Sequence, residues 1–315
     1  MADVDVVIVN YKSADHTARC VAAVHAVAAA DGFDAQAIVV NNADAPALLD
    51  AAVAASGGAL VLHNAANAGF GAACNQGAAR GTAPYILILN PDATLEPGAL
   101  RRCRDFLADP ANAAFGIVGP EIVDSTGIVV PSCSALPTPL DLLVRTAGLH
   151  LILPTYGYPY LSAADHALSR PVGQVMGAAL MIRRDLFAAL QGFDDAFFLY
   201  YEDVDLCARA QSKGQGSYYL KEARVRHVGA GSSSQASGMA LALHIASRGI
   251  YARRHFGRFW QAVILLAAVA IELPARLVRC FAKGRDIGMV LEAYRLLLQS
   301  AASGTTIAAL HARAR

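Results

Sequence analysis

The residues that could do chemistry in this chain include one carboxylate at the end of a predicted strand. Asp92 lies in the motif Asn90-Pro91-Asp92, which directly follows five apolar residues, 85–89. In open α/β sheets, ligands bind just beyond the carboxyl ends of the strands. A carboxylate held there by a rigid turn is placed to bind a divalent cation and, through it, a diphosphate. An ordinary turn is the alternative for this motif, since all three residue types favour turns.

A second group of carboxylates opens a predicted helix at 201–213. Glu202, Asp203 and Asp205 lie within four positions, where acidic residues favour the positive end of the helix dipole. Asp205 and Arg209 have the i, i+4 spacing of a structural ion pair. Four aromatic residues precede the group, and an apolar wall would raise a carboxylate pKa and make a better base near neutral pH. The four are Phe197, Phe198, Tyr200 and Tyr201.

His227 ends a short predicted strand. A lone histidine is more often a packed or surface residue than a ligand. We therefore assign it a role only together with Asp92.

The elements that must position these residues alternate between short apolar strands and helices. This alternation predicts a parallel sheet with helices on both faces, the arrangement of a doubly wound nucleotide-binding half. Polar residues gather where the strands end, at Asn10, Asn41, Asn42, Asn64, Asn67, Asn90 and Asp92. The predicted strands are 4–9, 37–40, 59–62 and 85–89, and the predicted helices are 14–30, 46–55 and 69–80.

The pattern is less regular after residue 108. Residues 131–171 hold many of the prolines and three tyrosines, which predicts a long irregular insertion of the kind that recognises a substrate. Gly177 lies in a strand pattern, where a glycine permits close backbone approach. The other predictions are helices at 97–108 and 185–190, a strand-turn-strand at 117–130, strands at 172–183, 217–220 and 223–228, and a flexible loop at 229–234.

The C-terminal region, 231–315, is predicted to be helical, first basic and then strongly apolar. Its uninterrupted apolar core, 262–271, is too short to span a membrane, and we expect Glu272 and Pro274 to close it. A helix packed against the main domain is slightly favoured. The alternative is an interfacial helix with arginine and tryptophan at the level of the lipid headgroups.

Composition excludes several classes of protein. The net charge of +1 on 315 residues gives no reason to expect a nucleic-acid partner. The six cysteines form no C-x-x-C pair, which argues against a zinc site or a redox dithiol and favours a reduced, cytosolic setting. The N-terminus has no basic segment followed by an apolar one, so no signal peptide is expected.

Seven short motifs, in this order and at these intervals, resemble the family 2 inverting glycosyltransferases of the GT-A fold, and especially their rhamnosyltransferase-like branch. The resemblance covers roughly residues 3–230, so the expected domains are a GT-A domain at 1–230, a mixed sheet flanked by helices, and a C-terminal helical extension at 231–315. The motifs are Val7-Ile8-Val9-Asn10-Tyr11, Val39-Val40-Asn41-Asn42, Asn67-Ala68-Gly69-Phe70-Gly71 with Asn75-Gln76-Gly77, Asn90-Pro91-Asp92-Ala93, Gly177-Ala178, Gly192-Phe193-Asp194, and Glu202-Asp203-Val204-Asp205-Leu206 with His227.

The resemblance implies a role for each site residue. Asp92 is similar to the metal-binding carboxylate of the family's Asp-x-Asp motif, and His227 to a histidine that completes the Mg²⁺ or Mn²⁺ site in some members. Asp203 is similar to the general base, with Glu202 as the alternative. The residues expected to hold the nucleotide are Asn10, Tyr11, Asn41, Asn67, Asn75, Asn90 and Asp92.

Two positions depart from the family pattern. Asn90 occupies the first position of the Asp-x-Asp motif, so the metal site carries less charge. Asn41 stands where many members carry an aspartate that contacts the nucleobase. An amide can pair with a uracil or thymine edge, which leaves the base preference open.

The resemblance also implies the reaction and its partners. We expect transfer of a sugar from a nucleotide-diphospho-sugar, dTDP-rhamnose or a UDP-sugar, to a hydroxyl of a surface polysaccharide or lipid-linked glycan. The expected location is the cytoplasm, with the inner face of the cell membrane as the alternative. Two other functions stay open, a non-catalytic nucleotide-sugar-binding protein and a sugar nucleotidyltransferase. The second is disfavoured because the loop Asn10-Tyr11-Lys12-Ser13 lacks the glycines of a phosphate loop.

Overall fold

A computed structural model of the protein describes residues 2–149, 161–162, 165–227, 237–284 and 286–307. These residues divide into two compact units. The first comprises the described residues within 1–136, 160–195 and 202–232, and the second comprises those within 137–159, 196–201 and 233–315. In this division, residues 137–149 and 196–201 fall in the second unit together with the C-terminal helices.

The first unit is built on a mixed sheet, as expected for the GT-A fold. Among the described residues, nine strands form it, in the order β3-β2-β1-β4-β10-β6-β11-β5, with β8 also paired to β11 and with β7 and β9 forming a separate small sheet. The strands are β1 (Val4–Asn10), β2 (Ala35–Asn41), β3 (Leu60–His63), β4 (Tyr85–Leu89), β5 (Ala93–Leu95), β6 (Phe115–Val123), β7 (Cys133–Ser134), β8 (Arg170–Val172), β9 (Gln174–Val175), β10 (Ala179–Arg183) and β11 (Gly216–His227).

Helices cover both faces of this sheet. Leu49, Leu100 and Val21 belong to the core on one face, where α1, α2 and α4 pack. The other face is covered by α3, α6 and α7. The helices of the chain are α1 (Ala14–Asp31), α2 (Pro46–Ala54), α3 (Phe70–Ala78), α4 (Ala99–Ala108), α5 (Pro139–Thr146), α6 (Arg184–Ala189), α7 (Glu202–Ser212), α8 (Gly238–Phe256), α9 (Arg258–Ala267), α10 (Leu273–Ala282) and α11 (Gly288–Ser303).

The first four strands are parallel, as the alternating pattern predicts. Strand β1 is paired on one side with β2 and on the other with β4, and all of its residues are buried. A strand covered on both faces is mostly apolar, and β1 follows this pattern except at Asp5, whose buried carboxylate is paired with Arg184. The connections move in opposite directions from β1 and β4, so a crevice is expected at the carboxyl ends of these two strands. Asn10 ends β1, and Asn90 follows β4.

Two predictions of local structure need correction, and two predicted segments are not described. Residues 131–171 are not all irregular, because α5 forms there with a capping box between Thr138 and Asp141. The separate strands predicted at 217–220 and 223–228 are one strand, β11, whose pairing with β6 shifts register between Leu220 and Arg224. Residues 150–160 and the predicted loop at 229–234 lie outside the described residues.

In the second unit, the helix of residues 258–282 does not end at Glu272 and Pro274. Between α9 and α10 the chain forms a π-helical segment, Ala268–Glu272, in which the Leu273 N–H donates to the Ala268 carbonyl. The wider turn accommodates the missing N–H of Pro274, so the helix continues. The core of this unit includes Ile245, Tyr294 and other apolar residues of α8 and α11.

Candidate active site

Strand pairing brings Asp92 and His227 together. β5 pairs antiparallel with the end of β11, so that Ala93, next to Asp92 in the chain, lies opposite His227. Asp92 Oδ1 is 3.0 Å from His227 Nε2, and the two side chains are 9% and 17% exposed. Burial raises the pKa of the Asp92 carboxyl, but its hydrogen bond with His227 and the attraction of the imidazole outweigh burial. The pKa therefore lies below its ordinary value, and Asp92 is ionised at neutral pH.

One short segment, Gly177-Ala178, connects this pair to the second group of carboxylates. The Ala178 carbonyl accepts a 2.9 Å hydrogen bond from the Asn90 N–H. The Gly177 N–H donates to Asp203 Oδ2 at 2.8 Å. The segment thus holds the start of the Asn90-Pro91-Asp92 turn on one side and the carboxylate of α7 on the other, consistent with the close approach expected at Gly177.

The first turn of α7 carries two carboxyl groups with different environments. Asp203 is partly exposed, and its second oxygen accepts a 2.8 Å hydrogen bond from the Val204 N–H. Glu202 is buried, and its Oε2 has no hydrogen-bond partner among the described residues. Burial first, and then repulsion from Asp203, raise the pKa of Glu202 to about 8. Glu202 therefore keeps its proton at neutral pH, while Asp203, whose pKa burial also raises, is the more accessible of the two carboxyl groups.

The remaining carboxylate of α7 is structural, as predicted. Asp205 Oδ2 accepts a 2.6 Å hydrogen bond from Arg209 Nε, and Asp205 is fully buried. The same guanidinium donates to the carbonyls of Leu190 and Gly192. This arrangement fixes α7 against the turn that precedes the aromatic segment.

The aromatic residues ahead of α7 belong to the second unit. The rings of Tyr200 and Tyr201 both contact His244 on α8, at centroid distances of 5.5 Å. The Leu199 carbonyl accepts a hydrogen bond from Ser247 Oγ. The pKa values of Glu202 and Asp203 are both raised, and burial is the largest cause for each.

Asn10 and Asn41 are buried at the ends of β1 and β2, with 0% and 2% exposure. Asn10 Nδ2 donates to Asn41 Oδ1 and to Asp44 Oδ2, and Asn10 Oδ1 accepts from the hydroxyls of Ser13 and Thr17. Asn41 Oδ1 also accepts from two backbone N–H groups, and its Nδ2 donates to the Asp44 carbonyl and contacts His63 Nδ1. Both amides are thus committed to protein partners.

Other predicted nucleotide-site residues also have partners within the protein. Asn75 Nδ2 donates to the Phe193 carbonyl and Asn75 Oδ1 accepts from the Phe193 N–H, which clamps the turn after Gly192. Asn67 is exposed, and its Oδ1 accepts from the Gly69 N–H. Tyr11 is partly exposed next to Asn10. Asn90 Nδ2 is 3.5 Å from His227 Nε2, which places its amide beside the Asp92 pair.

The donor set at Asp92 and His227 suits a divalent cation whose shell is completed by substrate. One carboxylate and one imidazole are ligands that Mg²⁺ and Mn²⁺ accept, and these ions commonly keep the rest of their shell for phosphate and water. Among the described residues, no group of three or more His, Cys, Asp or Glu side chains could hold a metal without such help. The residues present therefore fit a metal bound together with a diphosphate.

Comparison with known proteins agrees with this fold. The Glycosyl transferase family 2 profile matches residues 5–190, so the chain belongs to this family and is a glycosyltransferase that uses a nucleotide sugar. The chain is 32% identical over 284 residues to an N-acetylglucosaminyl-diphospho-decaprenol L-rhamnosyltransferase of Mycobacterium tuberculosis, covering 83% of this chain and 88% of that protein.

Two further comparisons extend the likeness. The low-salt glycan biosynthesis hexosyltransferase Agl10 of Haloferax volcanii is 26% identical over 66% of this chain and 62% of its own length. The solved structure of the mannosyltransferase PcManGT from Pyrobaculum calidifontis, in complex with GDP-Man and Mn²⁺, matches with a TM-score of 0.54 at 16% identity. That match covers 98% of this chain and 84% of the other, and it supports the fold.

Proposed function

We propose that this chain is a metal-dependent inverting rhamnosyltransferase that uses dTDP-rhamnose and acts on a lipid-linked glycan. The connection of Asp92–His227 to Asp203 through Gly177-Ala178 carries the catalytic part of this proposal. The substrate part rests on the rhamnosyltransferase of M. tuberculosis, whose likeness extends over most of both chains. A UDP-sugar is the alternative donor.

The proposed mechanism separates the two carboxylate groups by role. Asp92 and His227 would hold Mg²⁺ or Mn²⁺, which supplies Lewis-acid neutralisation of the leaving diphosphate. Asp203 takes the proton from the acceptor hydroxyl as its oxygen bonds to the anomeric carbon and the bond to the diphosphate oxygen breaks. Attack on the face opposite the leaving group inverts the configuration. The Gly177 N–H fixes Asp203 Oδ2, which leaves the carboxylate oriented before the acceptor binds.

A thermal-shift series tests the donor and the metal together. The full chain is melted with dTDP-rhamnose, UDP-glucose, UDP-N-acetylglucosamine and GDP-mannose, each with Mn²⁺, with Mg²⁺ and with EDTA. A ligand that binds the folded state raises the melting temperature in proportion to the logarithm of its concentration over Kd. We expect the largest rise with dTDP-rhamnose and Mn²⁺ or Mg²⁺, and loss of that rise in EDTA. No rise with any donor would contradict the proposal.

We also propose that the chain works at the inner face of the cell membrane, with helix 258–282 lying in the membrane surface. One helix of the described part of the chain, Arg258–Ala282, is long and apolar enough to cross a bilayer, yet only 22% of its most apolar stretch is buried. Its exposed apolar side chains include Phe259, Leu266 and Phe281, at 72%, 68% and 89% exposure. Exposed basic residues, Arg253, Arg258, Arg279 and Lys283, flank this surface and suit anionic lipid.

A buried ion pair supports a surface position rather than a span. Glu272 lies within this helix, is 7% exposed and accepts hydrogen bonds from Arg248 of α8 and from Arg276. These charges would have to enter the hydrocarbon if the helix crossed the bilayer, at a cost of several kcal/mol (roughly 3 for each charge on insertion scales). With the helix in the interface, they stay covered by protein.

Vesicle sedimentation tests the surface proposal. The full chain should pellet with vesicles that contain phosphatidylglycerol and much less with pure phosphatidylcholine vesicles. Phe259→Ser with Phe281→Ser should reduce pelleting several-fold, because apolar burial and charge attraction act together. Leu48→Ser, which removes a leucine 60% exposed on α2, is the matched control. Equal pelleting of the double variant and of Leu48→Ser would contradict a membrane contact through helix 258–282.

A further inference from the structure

The side chain expected to bind the nucleobase of the donor, that of Asn41, is not available for this role. Asn41 was expected to pair with a base, yet its amide oxygen already accepts three hydrogen bonds, from Asn10 Nδ2 and from the N–H groups of Ala43 and Asp44. Its amide nitrogen is engaged by the Asp44 carbonyl and His63. Freeing this buried group to bind a ligand would leave several polar groups without partners, which is costly.

The same hydrogen-bond network includes one carboxylate that is accessible to a ligand, that of Asp44. Asp44 is partly exposed in the loop that follows β2. Its Oδ2 accepts from Asn10 Nδ2 at 2.7 Å and from the Ser13 N–H at 3.1 Å. Oδ1 receives no hydrogen bond from the residues that the structure describes. One oxygen is therefore anchored, and the other is left for a ligand.

The loop after β1 is shaped for this anchoring. Lys12 adopts a left-handed conformation, with φ of 53°, which is uncommon for a residue other than glycine. The next residue, Ser13, turns its N–H to Asp44 and its hydroxyl to Asn10. The β1 and β2 loops thus both support the same carboxylate, at the sheet edge where the crevice between β1 and β4 is expected.

We propose that Asp44 is the residue that reads the nucleobase of the donor, and that it selects bases presenting a ring N–H: thymine, uracil or guanine. This inference rests on the proposed function. A carboxylate only accepts hydrogen bonds. Thymine and uracil offer N3–H, and guanine offers N1–H beside its amino group. Cytosine and adenine place a ring nitrogen lone pair at that position, and its repulsion of the carboxylate disfavours them.

The anchoring predicts an unusual result for Asp44→Asn. The two donors, Asn10 Nδ2 and the Ser13 N–H, would fix the oxygen of the new amide in the place of Oδ2. The new NH₂ group would then occupy the position of Oδ1 and face the ligand. The site would change from an acceptor to a donor, so the preference should move towards cytosine and adenine, whose ring nitrogens accept.

Binding of plain nucleoside diphosphates tests this without knowledge of the sugar. Calorimetry of the full chain with Mn²⁺ compares UDP, dTDP, GDP, CDP and ADP in wild type, Asp44→Asn and Asp34→Asn. Asp34 is exposed at the opposite end of β2, so its variant makes the same charge change away from the site. Melting of each ligand-free variant checks that the fold is kept.

We expect wild type and Asp34→Asn to bind UDP, dTDP and GDP more tightly than CDP and ADP. In Asp44→Asn, affinity for those three should fall about ten- to a hundredfold, the effect of leaving one buried polar partner unmatched, while CDP and ADP lose less or gain. Equal affinity of wild type for all five, or an unchanged profile in Asp44→Asn, would overturn the role of Asp44 while leaving the transferase in place. Failure of all five to bind would overturn the donor site itself.

Discussion

The buried carboxyl of Glu202 makes the stability of the first unit depend on pH, and Glu202→Gln isolates this effect. Burial and repulsion from Asp203 raise the pKa from 4.5 to about 8. A carboxyl whose folded pKa is raised stabilises the fold while it is protonated. Stability should therefore fall as pH rises from the unfolded pKa towards about 8. Glutamine has nearly the same shape and cannot ionise, so the variant lacks this decline.

The size of the effect follows from the difference in bound protons between the folded and unfolded states. The folded state holds about one more proton than the unfolded state across this range, and the slope is then about 1.4 kcal/mol per pH unit. Between about pH 6 and pH 8, the wild type should lose roughly 2 kcal/mol of unfolding free energy relative to Glu202→Gln. The loss is less than the full slope over two pH units because Glu202 begins to release its proton in the folded state near the upper end of this range. For a domain of about 200 residues, this corresponds to roughly 4–8 °C in Tm.

Scanning calorimetry at pH 6, 7 and 8 measures the difference. The Tm of Glu202→Gln minus that of wild type should become more positive at each step. Glu222→Gln, which changes an exposed glutamate of the same unit, should keep a constant difference from wild type. A difference for Glu202→Gln that stays constant, or grows in favour of wild type as pH rises, would refute the assignment of a protonated Glu202.

Three further outcomes test other parts of the structure. Arg209→Ala should cost about 3–5 kcal/mol of stability, because it removes the guanidinium that pairs with the buried carboxylate of Asp205; urea melts in which this variant and exposed Arg80→Ala lost equally little stability would contradict this expectation. Gly77→Ala should destabilise by about 1–3 kcal/mol, since the new Cβ would lie 2.6 Å from a methyl of Val7 on β1; an unchanged Tm would be evidence against this packing. His227→Ala should raise the Mn²⁺ concentration needed for half-maximal turnover, and a titration that matches wild type would remove the histidine from the metal site.

Much of the first unit could be predicted from its sequence. The apolar runs of β1 and β4 are buried on both faces, so their hydrophobic pattern specifies strands without needing context. The pairing of Asp205 with Arg209 follows from helix geometry alone. Both features depend only on residues that are close together in the sequence.

Other features depend on contacts distant in sequence. The side chains of Asn10 and Asn41 belong to a hydrogen-bond network that joins the ends of two strands about thirty residues apart. The spacing of residues in the sequence does not show whether an amide already has hydrogen-bond partners within the protein. The role proposed for Asp44 depends on the same network, and the sequence signal for it is an aspartate three positions after the strand-ending Asn41. The continuation of helix 258–282 past Pro274 needed a π-helical turn that has no clear sequence pattern.

The central claim is that Asp203 takes the proton from the acceptor while Asp92 and His227 serve the donor. Turnover of Asp203→Asn, measured beside its donor affinity in Mn²⁺, tests this most directly. The Gly177 N–H can still donate to the amide oxygen of asparagine, so donor binding should match wild type. The rate of sugar transfer should fall by about two to four orders of magnitude, the usual contribution of a positioned base. Full turnover in Asp203→Asn would contradict the account.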